Sequence, residues 1–297
     1  MELVFLGTSA MVPTKERNHS GILIRYKREN ILMDCGENIQ RQLRFAGISA
    51  AKITKLLVTH WHGDHILGIP GLIQSLAASD YQKILEVYGP VKSKSFMNKI
   101  TSVFLLEGKV DYKVMEVSGR FYENEDFILK SYKMKHTAPC LAYCFIEKDK
   151  RKINIDYVKK FGISKHPLLK ELQNGKDIVF NGEKIKAKDA TIIKKGKKIV
   201  YITDTKMNDN CYKAAEDADV LICEATFAKE LEEKAKEYFH LTAEQAGMIA
   251  KKAKVKKLIL THFSQRYKNT DKLLREAKKV FKNTICAEDF MKVKIDS

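Results

Sequence analysis

No apolar run in this chain approaches the length needed to cross a bilayer, so no transmembrane helix and no membrane partner are expected. The opening stretch, MELVFLGTSAMVPTKERNHSG, lacks a basic segment ahead of a long apolar one, and a secretory leader is not expected. There is no short tandem repeat and no low-complexity tract, which argues against a repeat array. Cysteine is scarce: Cys35, Cys140, Cys144, Cys211, Cys223 and Cys286, mostly inside apolar runs. They read as reduced and buried, which points to an intracellular, cytoplasmic protein. Cys140 and Cys144 have a spacing open to metal, but both fall in one strand-like run, where burial is the favoured reading.

Acidic residues are also short. Asp and Glu number 37 against 54 Lys and Arg, a formal charge of +17. Such an excess suits an anionic partner, with nucleic acid first. Lysine supplies 45 of the 54 cations, as it would on a heat-adapted surface. Heat adaptation raises glutamate together with lysine, however, and here the acids lag. The polyanion reading is preferred.

What is present is a 297-residue chain of 34.0 kDa, enough to bury a large core in one domain or two smaller ones. Strands are expected at ELVFLG, ILIRY and NILMDCGE, and a helix through IQRQLRFAG. KLLVTH reads as a buried strand, followed by a loop and a helix in ILGIPGLIQSLAA. YKVMEV, FILKSYKMKH and LAYCFIEKD read as strands, and TIIKKGKKIVYITDT as a hairpin. The last third alternates helices (NCYKAAEDA, TAEQAGMIAKKA, TDKLLREAKKVF) with strands (DVLICEATF, VKKLILTHF). Between Lys148 and Asp177 a basic stretch interrupts the pattern, either as an arm or as a helical connector.

Three of the eight histidines crowd the segment THWHGDH, with an aspartate between them. His60, His62, Asp64 and His65 are delivered to the C-terminal end of the KLLV strand, where ligands collect in α/β sheets. Imidazole and carboxylate are good ligands for borderline divalent metals. Further ligands end other strands: His136 after SYKMK, Asp204 after VYIT and His262 after LILT. The natural partition is His60, His62 and His136 on one ion and Asp64, His65 and His262 on the other. Asp204 bridges them. Two such ions form the usual clamp for phosphate-ester hydrolysis.

THWHGDH, with LVFLGTSA, NILMDCGE, His136, Asp204 and His262 in that order, resembles the metallo-β-lactamase superfamily over essentially the whole chain. The resemblance implies an αββα sandwich, two mixed β-sheets flanked by helices, as a single domain over residues 1–297. Its halves would fall at about 1–190 and 191–297, with a protruding arm at about 148–177. Histidine at position 62, where iron-carrying redox members have a carboxylate, implies two zinc ions and hydrolysis. Asp34 is expected to support the histidine loop by a hydrogen bond.

Three further stretches resemble the ribonuclease Z family. PTKERN matches a family loop and implies phosphate or substrate contacts from Lys15, Arg17 and Asn18. ICEATF keeps the family's glutamate as Glu224, although Cys223 stands where histidine is usual. FHLTAEQAG supplies His240 and Thr242, and Thr242 also has the position of a helix cap. In this family a histidine like His240, steadied by a glutamate like Glu224, gives a proton to the departing 3′ oxygen, while Asp64 orients the attacking group. The implied reaction is cleavage of precursor tRNA after the discriminator base, by a homodimer whose arm grips the tRNA. The arm departs from the family pattern at SKHPLLKEL, which has Pro167 but no preceding glycine. His19 has no assigned role beyond loop packing. A small-molecule hydrolase of the same fold (phosphodiesterase, lactonase or thioesterase) is the competing reading.

Overall fold

The computed structural model describes residues 1–163 and 165–296. Two seven-stranded sheets lie face to face. The first runs from edge to edge as Lys292–Lys294, Glu2–Gly7, Gly21–Tyr26, Glu29–Met33, Lys55–Leu57, Leu85–Gly89 and Tyr112–Glu116. The second runs as Thr284–Cys286, Lys257–Thr261, Val220–Glu224, Lys198–Ile202, Cys140–Glu147, Phe127–Met134 and Gly119–Glu123. Each sheet is mixed, with its parallel strands grouped on one side.

The layering follows from period-two burial. In ELVFLG, Leu3 and Phe5 join the layer between the sheets, and Val4 and Leu6 join the layer under the helices. All four are fully buried, so this strand shows no polar alternation. Ile259 faces inward and Leu258 and Leu260 face the helices in the same way. The helices Ile39–Phe45, Ile69–Ala77 and Ser93–Val103 cover the first sheet. Asp209–Ala215, Ala243–Lys252 and Asp271–Val280 cover the second. Each fully buried Leu, Ile or Phe contributes roughly 1.5–3 kcal/mol, so the apolar layers dominate stability. Two buried tyrosines place their polar ends on the site's scaffold. Tyr143 donates to the Val58 carbonyl at 2.8 Å, and Tyr201 donates to Asp34 at 3.2 Å.

The chain passes from the first sheet to the second between Glu116 and Gly119, and its closing strand Lys292–Lys294 returns to the first. The strands from Gly119 to Glu147 form a local antiparallel meander on the second sheet. One expectation changes: TIIKKGKKIVYITDT is not a hairpin. Thr191–Lys194 pairs with Lys150–Ile153, while Lys198–Ile202 pairs with Cys140–Glu147 and Val220–Glu224. Ile192 and Ile193 are exposed, so the first of these strands is no core strand despite its apolar letters.

The basic excursion accordingly runs from Lys148 to Lys197, longer than the stretch to Asp177. It carries a small apolar core of its own, including Val158, Ile163, Leu172, Ile178 and Ile185. At its root Lys150 donates to the Tyr26 hydroxyl at 2.8 Å, and Tyr26 donates to Glu147 at 2.8 Å. All six cysteines are free thiols, five of them buried. Among the described residues no helix is long and apolar enough to cross a membrane.

Candidate active site

The Lys55–Leu57 strand lies parallel to Glu29–Met33 and Leu85–Gly89, and the chain leaves its C-terminal end into the histidine loop. The neighbouring strand end supplies Asp34. It accepts the Thr59 amide at 2.8 Å and lies 2.8 Å from His65 Nδ1, so His65 presents Nε2 to the cleft. On the second sheet, Lys198–Ile202, Val220–Glu224 and Lys257–Thr261 are parallel neighbours. Their C-terminal ends deliver Asp204, Glu224 and His262. Asp34, Asp204 and His262 have φ of 59°, 50° and 58°, a left-handed conformation uncommon outside glycine, though Asp and His tolerate it better than most side chains. Strained backbone of this sort collects at functional sites.

The seven expected ligands converge. His60, His62 and His136 place ligand atoms within 4.8 Å of one another, and so do Asp64, His65 and His262, and His60, His65 and Asp204. Asp204 Oδ1 lies 4.0 Å from His60 Nε2, while Oδ2 lies 3.2 Å from His65 Nε2 and 3.3 Å from His262 Nε2. Asp204 therefore turns one carboxylate oxygen toward His60 and His240 and the other toward His65 and His262.

The donor set fits two zinc ions. His60 Nε2 is buried with no hydrogen-bond partner, a state that buried polar atoms rarely keep. His62 Nδ1 faces His136 Nε2 at 3.1 Å, and His65 Nε2 faces His262 Nε2 at 3.2 Å. Such nitrogen pairs aim at shared points rather than at each other. Burial, followed by the neighbouring His65, pulls the His60 pKa well below its ordinary value and leaves it neutral, the form that ligates metal. Burial works against charge on Asp204, but His262, His65 and His60 hold its carboxyl well below the usual range. For His65 burial is likewise opposed, here by Asp64, Asp204 and Asp34, which raise its pKa well above normal. A metal must displace that proton.

Beside the clusters, His240 Nδ1 lies 2.9 Å from Glu224 Oε2. Glu224 is fully buried, and it accepts the Thr205 amide at 2.8 Å and the Thr226 hydroxyl at 2.7 Å. Burial alone would lower the His240 pKa, but Glu224 and then Asp204 raise it to about 9. His240 lines the same cleft of about 510 Å³ as His62, Asp64, His136, Asp204 and His262. Cys223 joins the apolar layer under the helices, so its replacement of the usual histidine leaves the Glu224–His240 contact in place.

The other expected contacts separate. Lys15 is exposed on its loop. Arg17 is 9% exposed and donates to the Tyr267 carbonyl, with its guanidinium 5.8 Å from the Phe263 ring centre. Asn18 donates its amide to Asp289 and its side chain to the Glu37 carbonyl, both at 2.8 Å. Thr242 is buried and closes a reciprocal cap with Gln245 at the helix Ala243–Lys252. Arg17, Asn18 and Thr242 thus hold loops and a helix end, and neither Arg17 nor Thr242 lines the cleft.

Sequence reading missed two supports. Thr226 lies within 3.1 Å of His262 Nδ1 while donating to Glu224, so one hydroxyl ties a ligand to the His240 pair. Its place two residues after Glu224 in an extended segment was the available signal. The Met11 amide donates to Asp64 Oδ2 at 2.8 Å, a backbone contact no side-chain motif encodes.

Fold and site together define a metal-dependent hydrolase of the metallo-β-lactamase fold. A family model described as beta-lactamase superfamily domain matches residues 189–263, and one described as anti-Pycsar protein Apyc1 matches residues 1–95. Ribonuclease Z of Methanothermobacter thermautotrophicus is 39% identical over 298 residues, covering 99% of this chain and 97% of the relative. Ribonuclease Z of Bacillus cereus is 38% identical over 306 residues, covering all of both. The crystal structure of human tRNase Z, short form, superposes with a TM-score of 0.75 at 28% identity over both full chains. The chain belongs to the ribonuclease Z family.

Proposed function

We propose that this enzyme hydrolyses one phosphodiester at the 3′ end of precursor tRNA, just after the discriminator base. The products are a tRNA with a 3′ hydroxyl and a free trailer. The observation that carries the reading is the His240–Glu224 pair, bonded at 2.9 Å and opening on the same cleft as the metal ligands.

His60, His62 and His136 would hold one zinc ion and Asp64, His65 and His262 the second, with Asp204 shared. When bound, zinc supplies Lewis acidity, neutralises phosphate charge and acidifies water. Asp64, fixed by the Met11 amide, orients the attacking water and takes its proton. His240 keeps its Nδ1 on Glu224 and turns Nε2 to the cleft, where it gives a proton to the departing ribose 3′ oxygen. Thr226 and the Thr205 amide hold the Glu224 carboxylate in place, which fixes the imidazole's orientation. Lys15, exposed on its loop, would meet a phosphate of the substrate.

The excursion from Lys148 to Lys197 is the proposed tRNA arm of a single-domain protein, holding the substrate away from the scissile bond through shape and phosphate contacts. A homodimer, in which one subunit's arm serves the other's site, fits that arrangement. The buried free thiols and this substrate fit a cytoplasmic enzyme.

The test is incubation of zinc-loaded protein with a 3′-extended precursor and mapping of both product ends. One cut after the discriminator base, leaving a 3′ hydroxyl, is expected. Hydrolysis of a small phosphodiester with no cut in the precursor overturns the substrate assignment.

A further inference from the structure

The loop after the first strand meets the metal site through backbone rather than side chains. Met11 has a φ of 52°, uncommon for a residue with a long side chain. That conformation sends its two backbone polar groups to different partners. Its amide donates to Asp64 Oδ2 at 2.8 Å, and its carbonyl lies 3.0 Å from His19 Nε2. Met11 is 80% exposed and Val12 38% exposed, so burial of apolar side chains does not hold this turn over the cleft. Hydrogen bonds must do so, and the Ser9 hydroxyl adds one more to the Val12 carbonyl at 2.7 Å.

His19 is built into the same place from the other side. It is 4% exposed and packs across Gly36. A Cβ at Gly36 would stand 2.5 Å from both the His19 Cβ and the Asp64 carbonyl oxygen, so only glycine lets these segments approach so closely. Asp64 Oδ2, the oxygen that receives the Met11 amide, lies 3.4 Å from Nε2 of both His65 and His262. The amide therefore sets the rotation of a carboxylate that must both ligate and handle a proton.

We propose that His19 is a positioning residue for the reaction: by holding the Met11 carbonyl it holds the Met11 amide on Asp64, and so fixes the Asp64 carboxylate. The inference rests on the proposed role of Asp64 in the chemistry. It assigns to an imidazole outside the ligand set a task that acts through one residue of backbone. Misplacing a reacting group by a fraction of its working distance costs rate, not substrate affinity.

The experiment uses the full chain and two variants. His19→Leu removes the donor to Met11, and His19→Gln replaces Nε2 with an amide N–H able to reach the same carbonyl. In zinc-loaded protein, His19→Leu should keep its zinc and lower kcat by about 10–100-fold on precursor tRNA and on a nitrophenyl phosphodiester, with KM little changed. His19→Gln should recover most of that loss. In zinc-free protein, hydrogen exchange at the Met11 amide should be faster in His19→Leu and near wild type in His19→Gln. A folded His19→Leu with unchanged kcat, unchanged exchange at Met11, or a defect that His19→Gln fails to relieve overturns the proposal. If His19→Leu does not fold, the proposal stands or falls on His19→Gln against His19→Asn, whose shorter amide cannot span the same distance and should show the kcat loss. Exchange reads the contact without chemistry. A wild type that cuts no precursor tRNA would therefore fail the substrate reading, while exchange and ester rates still decide this one.

Discussion

His240 and Glu224, 16 positions apart, meet through Nδ1 and Oε2 at 2.9 Å, and the second oxygen of Glu224 is held by the Thr205 amide. A carboxylate gripped on both oxygens cannot follow a moving imidazole, so the imidazole is fixed to it. That fixes which nitrogen faces the substrate. The same Nδ1 lies 3.7 Å from Asp204 Oδ1, in a group with Asp204 and His262, so Glu224 competes with a metal for that nitrogen.

His240→Ala should keep both zinc ions and cut precursor tRNA about 10²–10⁴-fold more slowly, the usual worth of a positioned acid. Glu224→Ala should show a smaller loss of the same kind, and the double variant should be little worse than His240→Ala because the two act as one unit. A nitrophenyl ester, whose leaving group needs little protonation, should conceal most of the defect. Zinc content and rates on both substrates check this. Loss of zinc, or equal slowing of both substrates, would move His240 to binding or structure.

The pH dependence has a definite sign. A general acid works in its protonated form, and the His240 pKa is raised to about 9, because Glu224 and Asp204 outweigh burial. Cleavage of precursor tRNA should hold up to that region and fall as pH rises through it. The nitrophenyl ester should lack that falling limb, as should the residual activity of His240→Ala. Rate profiles from pH 6 to 10 for the two substrates make the comparison.

How much of this was legible in the sequence depends on whether an effect runs along the chain or across it. The ligands were legible because four crowd one loop after a buried strand and the other three each stand just past a strand end, where such sites collect. Asp34 and the His240–Glu224 pair came with the family resemblance. The sheet exchange after Glu116 was not legible, since a strand's letters do not name its sheet. Arg17 shows the same limit: its charge suggested phosphate, but the fold turns it onto the Tyr267 carbonyl. The Met11 amide could not be seen at all, because every non-proline residue carries one.

The metal site makes two linked predictions. Purified protein should hold close to two zinc ions, and Asp204→Ala should lose much of that metal, since one of its oxygens faces His60 and the other His65 and His262. Zinc should also be released as pH falls. Asp64, Asp204 and Asp34 raise the His65 pKa well above normal against burial, so protons compete strongly for this ligand. Metal analysis after dialysis across a pH series measures both. A stoichiometry of one, unchanged in Asp204→Ala, would sink the bridge.

Lys15 and Arg17 should part company although they share one loop. Lys15 is exposed and Arg17 is buried on a backbone carbonyl. Lys15→Ala should raise KM for precursor tRNA, reduce the salt dependence of binding and leave melting unaffected. Arg17→Ala should cost about 1–3 kcal/mol of stability by leaving the part-buried Tyr267 carbonyl unpaired and emptying the space the guanidinium fills. Thermal melts and binding titrations at two salt concentrations distinguish the pair. Equal melting points for the two variants would contradict it.

The arm can be removed without opening the sandwich. Ile146 is paired with Lys198, and the Glu147 amide donates to the Lys197 carbonyl at 2.8 Å, so the strands already approach as a hairpin would. Replacing residues 148–196 by Asn-Gly asks only for a tight turn between them. The excursion buries its own apolar cluster, so its loss should expose little of the main core. Precursor tRNA binding should weaken greatly and lose much of its steep salt dependence, while hydrolysis of a nitrophenyl phosphodiester stays near wild type. The two readouts separate because no expected metal ligand, nor His240 or Glu224, lies in the deleted stretch. Equal loss on both substrates, with a lowered melting point, would instead make the excursion a support of the core.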